Sequence, residues 1–269
     1  MKHTWPLVSI CVLSFNRVGY LKQTLESFRA TCTYPRLEWL VVDNGSTHDT
    51  VSYIESLDWI DKRIMNRENT GMGHAMNQAR RAAQGDYFFN LENDWLFFYH
   101  SDWLERGVCL FEKDEQGQVV SKQPATLPLG LVKYRLGSAV RYYTNNPSLM
   151  SRKAYEDTGE YPQYGREYDY VSEDVHRCEP DYIARFDVKY ACALSETPCA
   201  LHIGSYTTNP MYGNRKGIGF EELDDMLSGE MRHGKRWFTY SYMKLWNGLK
   251  IKRALRLYGR FERRRKERS

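Results

Sequence analysis

The stretch "LEWLVVDNGSTHDT", residues 37 to 50, passes from an apolar run through a turn cluster into a helix. Leu37 to Val42 has the aromatic and β-branched content of a strand, and Asp43-Asn44-Gly45-Ser46 ends it. Helical spacing starts near Asp49 and runs to Leu57. The alternation repeats on both sides. Leu7 to Leu13 is a short apolar strand, followed by Arg17 to Ala30 with Leu21, Leu25 and Phe28 at helical spacing. Ile60 to Met65 reads as a third strand, Gly73 to Ala83 as a third helix and Tyr87 to Leu91 as a fourth strand. The β-α-β-α-β-α-β order predicts an α/β fold, a mostly parallel sheet with helices on both faces. Ligands of such sheets bind beyond the carboxyl ends of the strands. Those ends carry Ser14-Phe15-Asn16, Asp43 to Ser46, Asn66-Arg67-Glu68-Asn69 and Glu92-Asn93-Asp94.

After Asp94 the pattern loosens into a mixed region. Asp102 to Lys113, Ser151 to Asp157 and Glu173 to Arg185 read as helices, as do Glu221 to Met231 and the chain from Phe238 onward. Short strands are expected between Val119 and Tyr143, just before Ser151, at Val188 to Ala193 and at Cys199 to Ile203.

Bulk composition excludes several classes. The chain has 269 residues, 42% hydrophobic and 14% aromatic, too rich for disorder. A mean hydropathy of -0.65 and the lack of a long apolar run argue against a membrane-spanning helix. No secretory signal is expected at the amino terminus. Six scattered cysteines without a C-x-x-C pair fit a reducing cytoplasm. Charge is unevenly placed: fourteen of the 38 Lys and Arg, but two of the 34 Asp and Glu, lie between Met231 and Ser269. The tail is thus about +12 and the body about -8, a split that points to an anionic partner.

The acids of "GDYFFNLENDWLFF", residues 85 to 98, need a reason to stand beside so apolar a run. On extended backbone Glu92 and Asp94 point the same way about 6.6 Å apart, at about 3.3 Å per residue. Both can approach one hard cation such as Mg²⁺ or Mn²⁺, which favours oxygen ligands. Phosphate-binding and metalloprotease motifs are absent, and Gly71-Met72-Gly73 lacks the last Gly of a dinucleotide fingerprint.

The segments "VSICVLSFNR", "LEWLVVDNGSTHDT", "NRENTGMGHAMNQARRAAQGDYFFNLEND", "NPSLMSRKAYEDTGEY", "SEDV" and "LHIG" occur in an order and spacing that resembles family-2 glycosyltransferases of the GT-A fold. The similarity covers roughly Leu7 to Gly204. It implies a nucleotide-binding half, residues 1 to 100, and an acceptor and catalytic half, 101 to 230. A basic helical extension occupies 231 to 269. By that resemblance Asp43 recognises the nucleobase, with Ser14, Phe15, Asn16 and Arg17 lining the same pocket. Arg67, Asn69, Gly71 and Asn77 belong to a segment that closes over the nucleotide. Glu92-Asn93-Asp94 stands at the D-x-D position, with Asp94 as direct metal ligand. The first acid is Glu rather than Asp, and its longer side chain reaches either the ribose or the metal. A metal-independent relative that sets cationic side chains against the phosphates is the alternative.

The same resemblance makes Asp174, paired with Glu173, the general base, although both acids also suit a helix amino terminus. It makes His202 a metal or diphosphate ligand, against the plain alternative of a hydrogen-bonded core histidine. Asn146 and Arg152 are candidates for contact with donor sugar or acceptor; a solvated Arg152 is equally consistent. The implied reaction is inverting transfer from a UDP-, dTDP- or GDP-linked sugar to a glycan or lipid-linked acceptor. A non-catalytic nucleotide-binding scaffold and nucleotidyl transfer are the rivals.

In the tail, Ile251, Ala254, Leu255, Tyr258 and Phe261 recur at helical spacing opposite Lys252, Arg253, Arg256, Arg260 and Arg263. Such a helix suits an anionic membrane surface, which would place the protein peripherally on the inner face of the cell membrane. Packing on the catalytic domain and contact with nucleic acid are the other options.

Overall fold

The computed structural model describes residues 4–97, 102–115, 124–128, 147–163, 178, 181–182, 184–185, 191–192 and 200–202. The expected alternation is present: β1 (Val8–Ser14), α1 (Val18–Thr31), β2 (Leu37–Asn44), α2 (His48–Glu55), β3 (Lys62–Asn66), α3 (Met72–Ala82) and β4 (Tyr87–Glu92). There follow β5 (Trp95–Phe97), α4 (Trp103–Glu115), β6 (Pro124–Pro128), β7 (Ser148–Ser151), α5 (Arg152–Thr158), β8 (Ala191–Cys192) and β9 (Ala200–His202). Among the described residues, seven strands form one sheet in the order β3-β2-β1-β4-β7-β6-β8, and β5 pairs with β9 in a second. Strands β1 to β4 run parallel, whereas β7 is antiparallel to both β4 and β6.

Alternation along the strands divides the core. Val8, Ile10, Val12, Trp39, Val41, Phe89 and Leu91 face α1 and α4. Cys11, Leu40, Val42 and Phe88 face α3 and α5. Burial on both faces explains why these strands read as continuous apolar runs. Phe28 of α1 is the centre of the first face, in edge contact with Trp39, Phe89, Phe97 and Trp103 at centroid distances of 4.8–5.5 Å. Each such pair adds about 0.5–1.5 kcal/mol beyond area burial.

The second face holds a buried cation. Arg80 of α3 is 0% exposed, with its guanidinium carbon 4.7 Å from the Tyr161 ring centre and 5.3 Å from that of Tyr182. It donates to the Tyr182 hydroxyl at 3.2 Å and to Asn90 Oδ1 on β4 at 3.4 Å. Arg80 follows Met76 by four positions, so it falls on the apolar side of α3, and the surrounding rings and oxygens offset its desolvation.

At the amino end of the sheet, buried Glu38 accepts from Ser9 Oγ at 2.5 Å, Lys62 Nζ at 2.8 Å and Gln84 N–H at 2.8 Å. Burial alone would raise its carboxyl pKa. The bonds from Lys62, Ser9 and Gln84 outweigh that and hold it below the ordinary value.

The short strand β5 has no counterpart in the sequence reading. Its three apolar residues show no alternation, and its partners are remote. Trp95 N–H donates to Thr24 Oγ1 and Phe97 N–H to Ser27 Oγ, both at 3.0 Å, while the ladder to β9 sets Trp95 opposite His202. Cys11, Cys32, Cys109 and Cys178 are free thiols, and burial pushes those of Cys11 and Cys32 up to about 12. Among the described residues no helix is long and apolar enough to cross a membrane.

Candidate active site

The strand order makes β1 the pivot of the sheet. The chain builds β2 and β3 on one side of it, then crosses to lay β4 on the other. A crevice opens at such a reversal, outside the carboxyl ends of the strands. The residues nearest that end are those that close β1, β2 and β4 and those that follow them.

Asp43, the penultimate residue of β2, lies opposite Ser14 of β1 and is 1% exposed. Ser46 folds back on it, with its N–H donating to Oδ2 at 2.9 Å and its hydroxyl to Oδ1 at 2.5 Å. This is the local Asx turn that an Asp-x-x-Ser sequence favours. Burial pushes the Asp43 carboxyl above its ordinary pKa, against the bonds from Ser46 that favour the charged form. The Asn16 N–H donates to Ser46 Oγ at 2.7 Å, and Thr47 N–H donates to Asn16 Oδ1 at 2.8 Å. The loops after β1 and β2 are thereby tied together.

Asn93 extends the tie to β4. Its Nδ2 donates to the carbonyls of Asn16 at 3.0 Å and Phe15 at 3.3 Å. With Trp95 N–H fixed to Thr24, Asp94 is held from both sides, 8% exposed. Arg17 Nη1 donates to Asp94 Oδ2 at 3.0 Å. Glu92 is half-buried at the end of β4, with Trp95 Nε1 3.4 Å from its Oε2.

A third loop is organised by Asn44. Its Nδ2 donates to Asn69 Oδ1 at 2.7 Å and Gly71 O at 3.2 Å; its Oδ1 accepts from Thr70 N–H at 3.0 Å and Asn66 Nδ2 at 3.1 Å. Asn66 and Gln78 exchange amide bonds at 2.8 and 3.0 Å, anchoring the loop to α3. Gly71, at φ 86° and ψ 157°, takes a conformation that side chains resist and starts α3. Arg67 is exposed in this loop.

The structure thus gathers Ser14, Phe15, Asn16, Arg17, Asp43, Glu92 and Asp94 at the carboxyl ends of β1, β2 and β4, with Asn69 and Gly71 in the loop tied to Asn44. It gives Asn77 and Arg152 other partners. Asn77 is 0% exposed, and its amide grips the backbone of Tyr161, donating to the carbonyl at 3.0 Å and accepting from the N–H at 2.9 Å. Arg152 points to the opposite end of the sheet, because antiparallel β7 carries the chain from Ser148, opposite Asn90, down to Ser151, opposite Tyr87. There it donates to the carbonyls of Gly85 at 2.6 and 2.9 Å and Ala83 at 3.0 Å. Asn146, Glu173, Asp174 and the tail from residue 231 lie outside the described residues. His202 is placed by register only, opposite Trp95 and so one position from Asp94.

Neither Asn44 nor Ser46 stands out in the sequence as a positioning group. The polar cluster ending β2 was the available signal.

Among the described residues no group of three or more His, Cys, Asp or Glu side chains converges. The acids at the end of β4 and just beyond it, Glu92 and Asp94, nevertheless suit a hard divalent cation. They offer only carboxylate oxygens, and Asp94 already draws a positive group to 3.0 Å.

An α/β sheet of this order with polar loops collected at its switch point is the architecture of the GT-A transferases. A mannosyltransferase of Pyrobaculum calidifontis, described in complex with GDP-Man and Mn²⁺, superposes with a TM-score of 0.56 at 18% identity, over 94% of this chain and 72% of that one. The pattern that defines Glycosyl transferase family 2 matches residues 9–165, and the chain belongs to that family. An uncharacterized glycosyltransferase of Haemophilus influenzae is 32% identical over 113 residues, covering 41% of this chain and 34% of the relative. A Bacillus subtilis glycosyltransferase named for teichuronic acid biosynthesis, TuaG, is 35% identical over 92 residues, 33% of this chain and 36% of the relative. The chain therefore matches only about a third of the length of these curated relatives.

Proposed function

We propose that the protein is an inverting glycosyltransferase that moves a sugar from a nucleoside diphosphate to an acceptor hydroxyl, in the synthesis of a bacterial surface glycan or its lipid-linked precursor. The observation that carries this is the hydrogen-bonded path from Asp43 through Ser46 and Asn16 to Asn93, the residue before Asp94. It links a carboxylate on each side of β1 at the carboxyl end of the sheet, which supports this reading. Family membership and the similarity to TuaG support the chemistry and the glycan class.

In this assignment Asp43 accepts a hydrogen bond from the nucleobase, and the loops of residues 14 to 17 and 67 to 71 enclose the nucleoside. Asp94, with Glu92 and His202, would hold Mn²⁺ or Mg²⁺, which supplies positive charge for the departing diphosphate. Asp174, paired with Glu173, takes the proton from the acceptor hydroxyl. The acceptor oxygen bonds to the anomeric carbon as the bond to the diphosphate oxygen breaks, and attack from the opposite face inverts the configuration. UDP-, dTDP- and GDP-linked sugars all fit this scheme. Asn146 contacts the donor sugar or the acceptor.

The tail of residues 231 to 269 is assigned to an anionic membrane surface on the cytoplasmic side, on the strength of its charge of about +12. Nucleic acid is the competing anion. Liposome flotation with and without residues 250 to 269, repeated with DNA and RNA as competitors, separates them.

The activity is tested by screening nucleotide sugars for donor hydrolysis and transfer with and without Mn²⁺. Metal-dependent release of a nucleoside diphosphate is expected, falling strongly in Asp94→Ala and Asp174→Asn. Binding of nucleotide with no turnover would leave a scaffold; release of pyrophosphate would mean nucleotidyl transfer.

A further inference from the structure

Asn16 and Arg17 both lie in the left-handed region, at φ 53° and 58°. Left-handed backbone costs a side-chain-bearing residue about 1–2 kcal/mol. Two consecutive residues persist there because Thr47 N–H and Asn93 Nδ2 hold Asn16 from both sides, at 2.8 and 3.0 Å. The turn brings the Arg17 side chain across the crevice. Its guanidinium lies 4.4 Å from the centre of the Tyr20 ring and donates to Asp94 at 3.0 Å. The two side chains are 13% and 11% exposed, so solvent screens the pair weakly.

We propose that Arg17 is a latch on Asp94, a positioning residue that makes the divalent cation and the nucleotide bind together rather than singly. This rests on the assignment of Asp94 to the cation in the proposed function. In the structure the carboxylate is already matched by a guanidinium. A cation arriving alone must displace or share that partner against like-charge repulsion. A nucleoside diphosphate brings oxygens that the planar guanidinium fork can take in two parallel bonds. Transfer of Arg17 to the diphosphate frees Asp94, so each ligand strengthens the other. Linkage requires the same factor in both directions. The Tyr20 ring gives the guanidinium a platform on which to pivot between the two anions.

The test is electron paramagnetic resonance titration of free Mn²⁺ with the full chain, with and without UDP or GDP. Mn²⁺ complexed by nucleotide alone is measured without protein and subtracted. Wild type is expected to bind Mn²⁺ about tenfold more tightly with saturating nucleotide than without, within the usual range of coupling between sites. Arg17→Gln should bind Mn²⁺ more tightly than wild type in the absence of nucleotide and lose most of the nucleotide-dependent gain. Arg17→Lys, which keeps the charge without the fork, should show a smaller shift in the same direction and serves if the Gln variant does not fold. Equal Mn²⁺ affinity of wild type and both variants without nucleotide, with binding abolished in Asp94→Asn, overturns the latch and leaves the cation assignment standing. Absence of Mn²⁺ binding in every protein, nucleotide present or not, overturns both.

Discussion

Gly45 and Glu68 meet backbone to backbone. A Cβ on Gly45 would lie 2.5 Å from the Glu68 carbonyl carbon, and Gly45 holds φ at 80°. The turn after β2 and the loop after β3 therefore close on each other only when position 45 has no side chain. Gly45→Ala is expected to destabilise the protein by about 2–4 kcal/mol, the sum of left-handed strain and a clash that only backbone movement relieves. Denaturant unfolding measures this. A loss below about 0.5 kcal/mol, the range of ordinary surface changes, would mean the two loops do not touch.

Asp43 gives a pH signature of two opposed signs. Burial raises its carboxyl pKa above the ordinary 3.8. Its stability contribution is therefore fully present below that ordinary value and is lost as pH rises through the raised one. Nucleotide binding runs the other way, because the proposed acceptor is the carboxylate. Affinity for UDP or GDP should decline on acidification at a higher pH than an ordinary aspartate would impose. Asp43→Asn should weaken nucleotide binding by about tenfold, as expected for loss of a charged hydrogen bond, and abolish that acid limb. Calorimetric titration across pH for both proteins checks this; identical pH profiles would remove Asp43 from the nucleobase.

Asn77 tests a different assignment. Since its amide is engaged by the Tyr161 backbone, Asn77→Ala leaves a buried N–H and a buried carbonyl without that partner. The expected cost is about 2–6 kcal/mol in unfolding free energy, at about 1–3 kcal/mol for each orphaned group. Nucleotide affinity of the folded fraction should stay within about twofold, a change of under ~0.5 kcal/mol. A variant of normal stability with lost nucleotide binding would restore Asn77 to the ligand site.

Glu38 ties three segments at the end of the sheet remote from the crevice. Its carboxyl pKa is lowered in the folded protein, so the stability it contributes is present above the ordinary 4.5 and is lost as pH falls through the lower folded value. Glu38→Gln should cost about 1–3 kcal/mol at neutral pH through weakened bonds to Lys62, Ser9 and Gln84, and less in acid. The difference between the two unfolding curves plotted against pH measures it directly. A gap that widens toward low pH would refute the sign.

The first half of the fold was legible because its signals are local. Each strand is an apolar run closed by a polar cluster, and each helix repeats at its own period within one short window. Asp43 and Asp94 stood out for the same reason, as acids placed where apolar strands end. Partners that are backbone atoms leave no such trace. The amide of Asn77 is matched to the main chain of Tyr161, and Arg152 to carbonyls at Ala83 and Gly85, so neither sequence shows what the side chain will meet. The antiparallel course of β7, which carries Arg152 away from the crevice, is equally nonlocal. Arg80 did carry a signal, its place on the apolar side of α3. The adjacent Arg81, which pairs with Glu160 near the surface, masks it as part of a charged doublet.

The β5–β9 ladder has a consequence for how this chain can diversify. Phe97 and Ala200 stand opposite each other. Varying β9 would therefore be felt at the carboxylate two residues before Leu96, remote as the two are along the chain, whereas the elements between them, such as β7 against β4, are fixed by their own places in the sheet.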